Sequence, residues 1–134
     1  MKEQISKLLK ITFLIHFFVA VIFGLVFTVI IEIYVELVGW PYLDPVTGRV
    51  LGAIFLGLAV ASLLSWRETK WESVKIMVQM EITWLVIGTA VHFFAIFTDP
   101  LLVVSTFMIF IQTAILLIFL VAFIWFYYDQ EFAK

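Results

Sequence analysis

Three side chains able to exchange protons lie deep inside otherwise apolar stretches of this sequence: His16, Glu81 and His92. An ionisable group in hydrocarbon is costly, so it faces protein or a wet cavity and takes a polar partner. Glu81 lies six residues past Lys75 and His16 six residues past Lys10. At 1.5 Å per helical residue, both therefore sit about 9 Å in from the same edge. If the helices bearing them are neighbours, a Glu81–His16 hydrogen bond or ion pair is available, with Gln79 and Ser65 able to complete a polar cluster. Such a pair has two uses. It is internal glue that fixes helix register, or it binds a proton or cation or floors a pocket for a lipid or other amphiphile.

The same arithmetic extends the polar set. At 100° per residue, Glu81, Gly88, His92 and Asp99 fall within about 20° of one direction and form a stripe on one helix face. Gln112 lies about 16 Å from the outer end of the last apolar stretch, level with Trp84. An amide oxygen and an indole N–H at one depth in lipid are natural partners. The ligand or ion-binding candidates are thus Glu81, His16, Gln112, Trp84 and His92.

Other chemistries lack their residues. His92 is about 25 Å from the inner edge against about 9 Å for His16, so the two cannot ligate one haem. There is no cysteine, no H-x-x-x-H or E-x-x-H spacing, no Gly-rich phosphate loop and no G-x-S-x-G elbow. No metal, no cofactor and no catalytic residue is expected, and the reading leans away from an enzyme. A net charge of −2 without a basic block argues against nucleic acid as a partner.

Composition says what solvent positions these groups. The 134 residues are 65% hydrophobic and 13% charged, where a soluble domain carries about a quarter charged residues. Four apolar stretches can be read: 11–31 continuing to 38, 50–64, 76–97 and 101–126. A hydrocarbon core of about 30 Å needs roughly 20 helical residues, so three qualify outright; the second needs Arg49 and Arg67 to snorkel or the bilayer to thin. The first is too long for a signal peptide. Asp44-Pro45 and Asp99-Pro100 each offer an N-cap acceptor followed by proline at the first helical position, and Thr69-Lys70-Trp71-Glu72 fits a capping box. The expected fold is all-α: one transmembrane domain over 1–134, an antiparallel four-helix bundle with helices at about 8–38, 45–66, 70–98 and 100–128.

Orientation follows from the basic residues. Lys2, Lys7, Lys10, Arg67, Lys70, Lys75 and Lys134 fall on one side and Arg49 on the other, which puts both termini in the cytoplasm. Trp40 and Tyr42 then mark the outer interface, and Trp66, Trp71, Trp125, Tyr127 and Tyr128 the inner one. The expected setting is a multi-pass protein of a prokaryotic cytoplasmic membrane.

Two ridges at four-residue spacing could join the first two helices: His16, Ala20, Gly24, Thr28, Glu32, Glu36 and Arg49, Ala53, Gly57, Ala61, Ser65. Small residues let backbones approach closely in lipid. Run antiparallel, they match Gly24 with Gly57, bring Ser65 near His16, and pair Glu32 or Glu36 with Arg49 at the outer end. Ile15-His16-Phe17-Phe18 and Val91-His92-Phe93-Phe94 look alike but sit at different depths, so no duplication is inferred.

In length and helix count the layout resembles small four-helix membrane families. Small multidrug transporters share a membrane glutamate but carry it on the first helix, whereas here it is on the third. The leading expectation is a non-enzymatic protein that self-associates or serves as an accessory subunit of a larger membrane complex and can hold a lipid or hydrophobic ligand. The alternative is a small transporter or channel-like protein in which Glu81, with His16, binds a proton or cation.

Overall fold

A computed structural model describes residues 3–40, 44–99 and 103–132. Lys2, Tyr42, Pro100 and Lys134 lie outside these residues. The described chain is helical, in the order α1 (Lys7–Val29), α2 (Ile31–Val38), α3 (Pro45–Arg67), α4 (Trp71–Thr98) and α5 (Val103–Glu131). Of these, α1, α3, α4 and α5 are long and apolar enough to cross a membrane.

Side-chain caps open α1 and α3. The Ser6 hydroxyl accepts from the Leu9 N–H at 3.1 Å, and Asp44 Oδ2 accepts from the Thr47 N–H at 2.9 Å with Pro45 at the first helical position. The expected Thr69 capping box is absent. Lys70 stands at the N-cap of α4 without a side-chain bond, and the chain's own start serves instead. The Trp71 N–H donates to the Glu3 carbonyl at 2.9 Å and the Ile5 N–H to Thr69 at 3.0 Å. With these donors satisfied by backbone, no threonine is needed. Asp99 closes α4: its own N–H reaches the Ala95 carbonyl at 3.0 Å.

The first apolar stretch is two helices rather than one. The break at Ile30 (φ −121°, ψ 29°) involves neither proline nor glycine. It falls within the β-branched run Thr28-Val29-Ile30-Ile31, just after the Thr28 hydroxyl donates back to the Gly24 carbonyl at 2.6 Å. Such back-bonding bends helices. The short α2 then ends at Gly39, the one described residue at positive φ (67°), and the Ser105 hydroxyl at the start of α5 donates to the Val38 carbonyl at 2.7 Å.

The long helices associate as two antiparallel hairpins, α1 on α3 and α4 on α5, with far less contact between them. Gly52 shows how close the first pair is. A Cβ there would sit 2.7 Å from the Thr28 backbone N and 2.9 Å from the Gly24 carbonyl O. Gly57, the expected partner of Gly24, has open space where its Cβ would be, and Ala53 is exposed while Ala61 is half-buried. The cause is helical period. A four-residue ridge drifts about 40° per step, so Arg49 and Ser65 cannot share a face. The face of α3 that packs follows alternating threes and fours, from Gly48 and Gly52 to Ala59 and Ser62.

Candidate functional site

Contacts place the chain's start, the α3–α4 connection and the end of α5 at one end of the bundle. There the interior is tightly filled. Leu9 and Phe13 from α1, Trp71, Val74 and Val78 from α4, and Phe123 from α5 are fully buried. Trp71 therefore belongs to the core and not to an interfacial belt. Its Nε1–H donates to Glu131 Oε2 at 2.9 Å, while Lys75 Nζ donates to Glu131 Oε1 at 2.7 Å. Gln79 Nε2 donates to the Tyr127 hydroxyl at 3.1 Å on the same side, so Gln79 is not part of the buried cluster.

At the upper boundary of this plug, three helices contribute one polar group each. His16 comes from α1, Ser62 from α3 and Glu81 from α4. His16 Nδ1 lies 2.7 Å from Ser62 Oγ and 3.5 Å from Glu81 Oε1. The fourth helix supplies aromatic rings: His16 meets Phe119 edge-on, centroids 4.8 Å apart, and Phe123 at 5.8 Å. The depth arithmetic that levels Glu81 with His16 thus corresponds to adjacent side chains. Ser62, not Ser65, is the hydroxyl involved; both are buried on α3, and Ser62 lies one turn nearer the depth of His16. Glu81 is 0% exposed, and neither carboxyl oxygen has a hydrogen-bond partner.

Above this cluster the interior is hollow. A cavity of about 380 Å³ lies between the hairpins and takes its walls from all five helices. His16, Leu85 and Phe119 border its lower end; Phe23, Phe55, Trp84 and Gly88 line the middle; Tyr34, Trp40, His92 and Gln112 surround the far end. From Trp84 to Ala95, both on its wall, the α4 axis rises about 16 Å. Glu81 is off the wall, so His16 stands between it and the cavity.

The other candidates distribute around this space. Gln112 donates not to Trp84 but to the Tyr34 hydroxyl. The break at Ile30 turns α2 so that Tyr34 reaches α5, which no count along an unbroken helix anticipates. Trp84 stacks edge-on against Phe55, centroids 5.8 Å apart. His92 Nδ1 is 3.2 Å from Thr113 Oγ1; the Thr113 hydroxyl donates to the Ile109 carbonyl, so the imidazole is the donor in that contact. Arg49 pairs with Glu32 on the exposed far end of the first hairpin, while Glu36 is exposed one turn on. Asp44 is exposed beside them, and the Thr47 N–H holds its carboxyl below the usual carboxylate range.

Among the described residues no group of three or more His, Asp or Glu side chains gathers in metal-ligand geometry. The arrangement can do two things: hold an apolar chain and offer it a polar contact from His16 at the lower end. In comparisons with known proteins, no family model, no curated protein and no solved structure matches this chain.

Proposed function

We propose that this chain is a non-enzymatic multi-pass membrane protein that holds one hydrophobic ligand of lipid type in the cavity between its two hairpins. Its termini are assigned to the cytoplasm of a prokaryotic cell. Lys7, Lys10, Arg67, Lys70 and Lys75 gather at the end that carries Glu3 and Glu131, against Arg49 at the other.

The observation that carries the reading is the cavity itself. Its volume of about 380 Å³ is at the small end of the roughly 300–1,000 Å³ of ligand sites. Its wall is aliphatic and aromatic with few polar groups, as such sites are. Apolar interiors normally close to crystal-like density, and in the lower half of this same molecule Leu9, Phe13, Trp71 and Phe123 are fully buried. Transport past Glu81 is the weaker reading, because the buried layer of Leu9, Phe13, Val78 and Phe123 separates the pair from the terminal end.

Lipid-dependent unfolding tests the proposal. Thermal unfolding of the purified chain, titrated with lipid extract from the expressing membrane, should show saturable stabilisation of about 2.7 kcal/mol at a hundredfold excess over Kd. Gly88→Leu puts a side chain into the space, since a Cβ there meets nothing nearer than Leu116 at 3.4 Å. That variant should fold and lose the saturable response. A response identical in both proteins would refute the reading.

A further inference from the structure

The lower end of the cavity specifies more than hydrophobicity. His16 borders it, and of the two ring nitrogens only Nδ1 has protein partners, Ser62 and Glu81. The groups around the pair are few. From α1 comes His16 itself, from α3 Ser62, from α4 Glu81, and from α5 the apolar rings of Phe119 and Phe123. Among the described residues no other charged side chain pairs with them.

Proton counting then fixes the far side of the imidazole. Glu81 is fully buried and its oxygens have no hydrogen bond; the nearest group able to take or share its proton is His16 Nδ1 at 3.5 Å. Two arrangements carry no net charge and leave no acid proton stranded. In one, Glu81 keeps its proton and turns it toward Nδ1, whose lone pair also takes the Ser62 hydroxyl proton at 2.7 Å. In the other, it has passed the proton to Nδ1 and forms an ion pair. Both leave a proton on Nε2. The remaining arrangements either bury a net negative charge or leave a carboxylic O–H without an acceptor, and a low-dielectric interior penalises each. Glu81 is thus a positioning residue. It sets the tautomer of His16 so that the imidazole meets the cavity as a hydrogen-bond donor.

We infer that the ligand is an uncharged lipid carrying a carbonyl oxygen, which accepts a hydrogen bond from His16 Nε2–H while its chain runs up the aromatic slot toward Tyr34 and Gln112. This inference rests on the cavity reading above and adds the chemistry of the ligand's polar end. A carboxylate or phosphate there would add a net buried charge to a pair that Glu81 already makes neutral. A plain hydrocarbon would leave the donor unmatched.

Three probes of equal chain length separate these cases: 2-tridecanone, tridecane and tridecanoate, each titrated into the full chain in nanodiscs, with binding corrected for partition into empty discs. One hydrogen bond to a desolvated donor is expected to make the ketone bind about tenfold tighter than the hydrocarbon, with the carboxylate weakest. The double substitution His16→Leu, Glu81→Leu removes both polar groups, which apolar residues of similar size can replace without loss of fold. It should abolish the ketone's advantage while the hydrocarbon still binds. A short-tailed benzoquinone and a monoacylglycerol, tested alongside, distinguish a ring carbonyl from an ester as the natural source; tighter binding of either than of tridecane supports the inference. Equal affinity for ketone and hydrocarbon in the native chain, or a ketone preference that survives the double substitution, overturns it and leaves the cavity reading standing. Failure of every probe to bind overturns both.

Discussion

The two ends of this bundle are built from the same four long helices and the same kinds of residue, yet one is solid and the other hollow. Near the termini, Trp71, Phe13 and Phe123 fill the centre, and the Trp71–Glu131–Lys75 bonds fasten α4 to α5 across it. Toward the far end the centre is lined by Phe23, Phe55 and Trp84 without being filled by them. The difference lies in connection. At the terminal end the chain's start is strapped to the α3–α4 turn by paired backbone bonds, which draws the hairpins together. At the far end they meet through α2, whose contacts with α5 include the Tyr34–Gln112 bond and the Ser105 cap. A membrane protein gains little from squeezing out lipid, since fatty tails are as apolar as leucine. A space between hairpins therefore persists unless specific contacts close it.

Substitutions break this comparison in graded ways. Trp71→Ala opens a void in the filled end and should destabilise by about 3–5 kcal/mol, read from denaturant unfolding in mild detergent. Gly52→Leu collides with the Gly24 and Thr28 backbone and should cost at least about 1–3 kcal/mol, whereas Gly57→Leu, into open space, should change stability by less than about 0.5 kcal/mol. If Gly57→Leu proved the more damaging, the α1–α3 packing described here would be wrong. In the hollow end, Gly88→Leu should be neutral or stabilising by about 0.5–2 kcal/mol, the opposite sign to Trp71→Ala. Tyr34→Phe removes one hydrogen bond between α2 and α5 and should cost about 1 kcal/mol. Asp44 gives the smallest effect. Its carboxyl is held below the usual range by the Thr47 N–H, so its contribution is present above the unfolded carboxylate value. It fades as pH falls through the lowered folded one. Protection of the Thr47 amide, taken relative to its intrinsic exchange rate at each pH, should therefore fall only in acid.

Much of this architecture is legible from residue order, and the exceptions share a cause. Hydropathy and the Asp44-Pro45 cap mark α3, and residue counts from Lys10 and Lys75 level His16 with Glu81. These readings need only distance along one helix. The readings that shift depend on rotation or on a partner far away in sequence. A four-residue ridge on α3 points to Gly57, but 3.6 residues per turn carry the packed face to Gly52 and Ser62. Gln112 meets Tyr34 because a β-branched run and one threonine hydroxyl break the first helix, an effect of local geometry rather than hydropathy. Trp71 looks like an interfacial anchor by position, and becomes core because Glu3 and Ile5 pair with the α3–α4 turn beside it. The cavity itself has no signature in sequence, since it is a volume that hairpin spacing leaves behind.

The central claim is that the hollow end holds a lipid. Native mass measurement on the chain released from its own membrane tests it most directly. One lipid should remain on each native chain and none on Gly88→Leu at the same detergent concentration. Bare native chains, or equal lipid on both proteins, would contradict the account.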